Sequence, residues 1–349
     1  MSGMLPRLAC TAVVAAQAVL APVPAAAVPE PNRSVSQLLT DLQQLYRRTE
    51  QAGETYNATT EKLARQRAEV TRLDGELARA RVALQGSRSD AGRLARQQYQ
   101  NSSDFSPYVR LLLARDPQHA LDEGHVIGRL ARERAHTVDR LVATETNRDA
   151  LARSARRALD TALALGEKQK KERDDVRGRL AEVERLLASL TPQQLAEMAR
   201  LEGAGAAEAQ RKLTDSGALG GDDRPASTEG TRAVSYAMSQ VGKPYVWGAQ
   251  GPRAYDCSGL TSQAWGHAGT PIPRTSQEQW ARLRRVPLGE LRPGDLVVYF
   301  PEATHVAMYV GDGKVVQAPR PGEDVRVSPI AGNPILGAVR PDADRSTGL

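Results

Sequence analysis

Tyr255-Asp256-Cys257-Ser258-Gly259-Leu260-Thr261-Ser262-Gln263-Ala264-Trp265 is the stretch that decides how the C-terminal part of this 349-residue chain folds. Leu260, Ala264 and Trp265 recur at helical spacing, and the run ends near Gly266 or Gly269, so a short helix is predicted with Cys257 in its first turn. Unpaired backbone N–H groups and the helix dipole at that position favour a thiolate. A cysteine kept for packing would more often sit mid-helix on the apolar face. All three tryptophans (Trp247, Trp265, Trp280) fall after residue 240, so the compact core is expected there. A helix over 231–241 followed by short strands and turns reads as an α+β domain spanning 231–340, with a tail at 341–349.

A thiolate nucleophile needs a base that later protonates the leaving amine, and histidine does both near neutral pH. His119, His125 and His136 lie in the helical region before residue 200, and His267 is on the same helix as Cys257, ten residues on. That leaves His305, at the start of the strand-like run His305-Val306-Ala307-Met308-Tyr309-Val310. Alone, a strand histidine is more often a structural residue; paired with a cysteine at a helix start, the balance reverses. Gly311-Asp312-Gly313 makes a hairpin turn, and the returning strand carries the polar Gln317 between Val316 and Ala318. A three-residue loop with a bulge at Gly313 would pair Ala307 with Gln317 and put His305 and Gln317 on one face. A plain two-residue turn would separate them, so a role for Gln317 predicts the bulge.

The N-terminal half has another character. From Val35 through Leu38, Leu42, Leu45, Thr49, Ala52, Tyr56, Thr59, Leu63, Gln66, Val70, Leu73, Leu77, Ala80 and Leu84, positions alternate by three and four, as in a coiled coil. A helix over 35–100 would be roughly 100 Å long. The pattern breaks at 101–107 and resumes from Ile127, giving arms at about 35–100 and 125–200 within a helical region 31–213. An antiparallel all-α hairpin and a parallel dimer both fit, and neither arm shows residues suited to chemistry. Glycines from Gly203 onward give 203–230 a linker composition, with 214–230 assigned to a flexible linker.

Arg7, the apolar run Leu8–Ala21 and Ala25-Ala26-Ala27 read as a signal peptide over 1–27, cleaved near Ala27, with an uncleaved anchor as the alternative. Cys10 would leave with it, so the exported chain keeps one thiol and no intramolecular disulfide. The count alone leaves Cys257 equally inert or reactive. The net charge of +6 suits anionic partners, but arginines interleave with Glu and Asp as on a solvated helix face. No nucleic-acid recognition motif accompanies the charge, so no nucleic-acid partner is expected. No His/Cys cluster has ligand spacing, so no metal or other cofactor is expected.

Lys243-Pro-Tyr-Val-Trp-Gly248, Asp256-Cys-Ser-Gly-Leu260, Pro273-Arg-Thr-Ser276, Arg292-Pro-Gly-Asp-Leu-Val297 and His305-Val-Ala-Met-Tyr-Val-Gly311 occur in the order and spacing of NlpC/p60 cysteine peptidases. The N-terminal half more loosely resembles the coiled coils of secreted actinobacterial RipA- and RipC-like cell-wall hydrolases. The resemblance implies a papain-like α+β domain behind a long coiled-coil hairpin. It also implies a Cys257–His305–Gln317 triad, Tyr245 assisting the oxyanion, and Asp256 and Ser258 contacting substrate. In relatives the third triad position is commonly His; glutamine can orient the imidazole but supplies no charge to imidazolium. Ala249 stands where a second glycine is usual. The implied reaction is hydrolysis of the γ-D-glutamyl–diamino acid bond in peptidoglycan stem peptides outside the cytoplasm. The coiled coil would restrain or recruit the enzyme, with a membrane division complex of the FtsEX type as partner. A catalytically weak wall-bound scaffold, or an amidase or acyltransferase on the same fold, is the competing expectation.

Overall fold

The computed structural model describes residues 33–100, 109, 117–221 and 224–343. The expected signal segment, the break at 101–107 and most of the 341–349 tail lie outside the described residues. Among the described residues, no helix is long and apolar enough to cross a membrane.

Helix α1 (Val35–Gln100) and helix α2 (Pro117–Ala188) run antiparallel as two arms of one chain. Their pairing is explicit in cross-arm bonds: Gln66 Nε2 donates to the Ala158 carbonyl and Gln169 Nε2 to Thr60 Oγ1. Leu73 and Leu77 of α1 bury against Ala155 and Ala158 of α2, so the small residues of the second arm let the helices approach closely. The hairpin, rather than a parallel dimer, therefore satisfies the heptad face within the chain.

The second arm stops at Ala188, earlier than the heptad reading placed it. Thr191 caps a new helix, α3 (Pro192–Asp215): its hydroxyl accepts the Gln194 N–H, and Gln194 Oε1 accepts the Thr191 N–H. The linker reading of 203–215 is corrected by the same helix, which runs unbroken through Gly203 and Gly205. Long-range partners hold its second half. Gln210 donates to the Gly313 carbonyl and accepts the Ala331 N–H, while Leu213 packs under the sheet.

The C-terminal domain comprises α4 (Thr228–Met238), α5 (Cys257–His267), α6 (Ser276–Arg282) and strands β1 (Arg284–Val286), β2 (Leu296–Tyr299), β3 (His305–Gly311), β4 (Lys314–Gln317), β5 (Arg326–Pro329) and β6 (Ile335–Arg340). The strands form one antiparallel sheet in the order β1-β6-β2-β3-β4-β5. Period-two alternation sorts its side chains. Leu296, Val298, Val306, Met308 and Val316 join Leu260, Ala264 and Trp265 of α5 in the main core. Val297, Tyr299, Ala307, Tyr309 and Val315 form the opposite layer, roofed by Leu213, Leu219 and Leu288.

The β3–β4 hairpin differs in detail from the expected loop. Asp312 and Gly313 both have positive φ (52° and 63°), as a two-residue type I′ turn requires. The extra residue is Val310, bulged within β3, because Tyr309 pairs with Val315 while Gly311 pairs with Lys314. Bulge plus tight turn give the same phase as a longer loop. Met308 lies opposite Val316, so His305 and Gln317 share a face.

Candidate active site

Asp256 organises the first half of the site. It caps α5 by accepting the Gly259 N–H at 2.6 Å, which sets Cys257 as the first helical residue. Arg274 grips the same carboxylate with two nitrogens at 3.0 and 2.6 Å, and the Gly248 N–H adds a bond at 3.0 Å. Asp256 is thus held by framework bonds, and its Oδ2 also faces the cleft, where Asn57 of α1 donates to it. Arg274 also donates to Ser258 Oγ at 2.8 Å, leaving that hydroxyl free to donate elsewhere.

His305, at the start of β3, completes the second half. Its Nε2 lies 2.6 Å from Gln317 Oε1, and the Gln317 amide in turn donates to Ser328 Oγ of β5 at 2.9 Å. With Gln317 accepting, the imidazole carries its proton on Nε2 and presents a bare Nδ1. That Nδ1 is buried and has no hydrogen-bond partner. The N–H of the next residue, Val306, donates to the Cys257 sulfur, tying strand to helix. Tyr245 is buried near enough for Cys257 charge to raise its phenol, after the larger effect of burial. The structure therefore brings Cys257, His305, Gln317, Tyr245, Asp256 and Ser258 together. It does not recruit His267, which stacks on Tyr236 at 4.2 Å.

The cleft is occupied by α1. Glu54 Oε1 accepts the Ser258 hydroxyl at 2.6 Å and lies 3.7 Å from Cys257 Sγ, while its Oε2 accepts the Ser276 N–H at 3.1 Å. Asn57 donates to Asp256 at 3.1 Å, and Glu50 reaches within 3.7 Å of His305 Nδ1. Tyr56 packs on Trp247 with ring centroids 4.5 Å apart. Gly53 lies so close under the same indole that a Cβ there would sit 2.7 Å from it. With α1 seated, Cys257 is 2 % and His305 1 % exposed, so no peptide reaches the thiol.

Burial and the incoming carboxylates also set the charge states. The Cys257 thiol is pushed well above its usual value by burial, then by Glu54, Asp256 and Glu50, against the opposing Val306 N–H. Burial pushes His305 down to about 4, against its Gln317 bond and Asp256. The Glu50–His305 approach is therefore no ion pair near neutral pH. Burial and then Asp256 push Glu54 up to about 7, while Ser258, Arg274 and Ser276 pull the other way. Glu50 is raised too, by burial and then Glu54. A protonated thiol beside a neutral imidazole is the resting pair in this state.

A sequence-family profile described as the NlpC/P60 family matches residues 242–338, which hold the helix-capping Cys257, His305 and Gln317. The C-terminal domain is an NlpC/P60 domain. This NlpC/P60 segment is similar to a probable endopeptidase of Corynebacterium glutamicum, 48% identical over 94 residues, covering 27% of this chain and 45% of that protein. It is also similar to the peptidoglycan endopeptidase RipA of Mycolicibacterium smegmatis, 38% identical over 119 residues, covering 29% of this chain and 24% of RipA. Among solved structures, the NlpC/p60 domain of the peptidoglycan hydrolase SagA is 31% identical, covering 32% of this chain and 97% of that one, with a TM-score of 0.30. The chain spans less than half the length of these two curated relatives.

Reading the sequence alone overlooked Glu50, Gly53, Glu54 and Asn57, and with them the fact that the first arm does bring reactive groups to the NlpC/P60 cleft. The signal was present as a glycine flanked by two acids and an amide at positions i, i+3, i+4 and i+7, one face of a helix. Ser328 carried no local signal; it is found only through strand register.

Proposed function

We propose that this chain is an extracytoplasmic peptidoglycan endopeptidase that hydrolyses stem peptides with Cys257 as nucleophile, and that α1 is its built-in inhibitor. Three things support the chemistry: the thiol at a helix start, the bare imidazole Nδ1 of His305, and the endopeptidase names of the relatives. His305 takes the thiol proton, Gln317 holds the imidazole by its Nε2–H, and the sulfur attacks the scissile carbonyl. The Cys257 N–H, with the Tyr245 hydroxyl nearby, receives the developing oxyanion. The imidazolium then protonates the leaving amine, and water resolves the acyl-enzyme. The bond proposed, by resemblance, is that between γ-D-glutamate and the diamino acid.

One observation carries the inhibitory reading: the Glu54 carboxylate is hydrogen-bonded inside the cleft to Ser258 and Ser276, 3.7 Å from the sulfur. Withdrawal of α1 removes two carboxyl groups from the thiol, which favours the thiolate, and admits water, which favours both the thiolate and the imidazolium. A membrane division complex of the FtsEX type is the proposed agent of withdrawal, resting on the resemblance of the N-terminal half alone. The test is clearing of a peptidoglycan suspension by the full-length Glu54→Lys chain, whose longer cationic side chain cannot occupy the Ser258–Ser276 cradle. Clearing that Cys257→Ala abolishes supports the enzyme; no clearing, with Cys257 reactive, favours the wall-bound scaffold.

A further inference from the structure

Helix α3 is anchored at both ends to different bodies. At its start, Met198 is buried with Leu38, Leu42 and Tyr46 of α1 and Val183 of α2. At its end, Gln210 bridges the Gly313 carbonyl and the Ala331 N–H, and Leu213 packs beneath the sheet. Between these anchors lies Gly203-Ala204-Gly205, fully helical and exposed. A Cβ built on either glycine would meet nothing within 4 Å, so no neighbour demands glycine there. The two glycines border a cavity of about 1330 Å³ lined by α1, α3 and the domain. Glycine in a helix interior that packing does not require weakens the helix and makes that point the easiest to bend.

We infer that Gly203–Gly205 is the hinge about which the coiled coil swings to withdraw α1 from the cleft, and that α3 beyond Gly205 is a fixed part of the NlpC/P60 domain. This rests on the reading of α1 as inhibitor. The residue just before the hinge carries the latch. Glu202 makes a two-pronged ion pair with Arg320 of the domain (2.7 and 2.9 Å), and Arg320 also lies over the Tyr46 ring of α1 at 4.8 Å. Swinging the arm at Gly203 separates Glu202 from Arg320 while leaving Gln210 and Leu213 in place. The hinge also puts the movable boundary before residue 206, not in the 214–230 stretch. Cutting the chain after residue 220 would strip Leu213 and Leu219 from the outer sheet face.

The test uses the full chain and the rate at which iodoacetamide alkylates Cys257, which reads the open fraction. Each glycine-to-alanine change in an exposed helix favours the straight helix by about fivefold. Gly203→Ala/Gly205→Ala should therefore slow alkylation roughly twenty-fivefold, and hydrogen exchange at 201–207 should slow as well. Gly178→Ala, an equally unpacked helical glycine in α2, is the control and should change neither. Unchanged alkylation in the double variant, even with exchange at 201–207 slowed, would overturn the hinge. So would equal slowing by Gly178→Ala. Fast alkylation of the wild type would instead overturn the reading of α1 as inhibitor, and with it the hinge, whereas slow wild-type alkylation left unchanged by the double variant would overturn the hinge alone.

Discussion

Gly53→Ala is expected to open the cleft although it strengthens the helix that closes it. In a free helix the change stabilises α1 by about 1 kcal/mol, so the arm itself cannot be the part that suffers. In the seated state the new Cβ would lie 2.7 Å from both Cδ1 and Nε1 of Trp247. The indole cannot turn aside freely, because Tyr56 of the same helix packs on it at 4.5 Å. Relief requires α1 to back out by roughly 1 Å, to ordinary carbon contact. The same shift would lengthen the 2.6 Å Ser258–Glu54 bond to about 3.5 Å, beyond useful hydrogen-bond range. Overpacking of this kind costs about 2 kcal/mol, which corresponds to roughly thirtyfold more open chain. The assay is the second-order rate of Cys257 alkylation at fixed pH, with circular dichroism to show that helicity is kept or raised. Alkylation of Gly53→Ala at the wild-type rate would refute the seating of Gly53 against Trp247 as the key contact.

Seating should also depend on pH, in a direction set by Glu54. Its carboxyl is held near 7 when seated against about 4.5 when free, so seating takes up a proton and is lost as pH rises through 7. The raised Glu50 acts in the same sense, whereas the lowered His305 opposes it only below its ordinary 6.5. Cys257 alkylation, corrected for thiolate fraction, should climb from pH 6.5 to 8, and Glu54→Gln should flatten that climb. In a Glu54→Lys background, Gln317→Ala should lower kcat about fivefold with little change in KM, the worth of one neutral hydrogen bond, in a stem-peptide turnover assay. Arg274→Ala leaves the buried Asp256 carboxylate unpaired and should destabilise the C-terminal domain by about 3–5 kcal/mol, read by denaturant unfolding.

Local features were readable in the sequence because their physics is local. The Leu260/Ala264/Trp265 spacing and Cys257 at the helix start lie within ten residues. The shared face of His305 and Gln317 followed from strand arithmetic, although the extra residue sits in β3 at Val310 rather than in the turn, since either position gives the same phase. The helix over 203–215 was hidden because glycine content was weighed locally, while Gly313 and Ala331, which hold Gln210, come about a hundred residues later. Glu50 and Glu54 were hidden because a heptad reading treats polar positions outside the seam as solvated. Their true surroundings, Ser258, Ser276 and His305, are set by how the hairpin folds back on the domain.

The most direct test of the central claim is mass spectrometry of the muropeptides released from purified peptidoglycan by the full-length chain and its variants. The account predicts stem peptides cut between γ-D-glutamate and the diamino acid with Glu54→Lys, only traces with the wild type, and none with Glu54→Lys/Cys257→Ala. Intact stem peptides after exposure to Glu54→Lys, or equal cutting by wild type and Glu54→Lys, would contradict it.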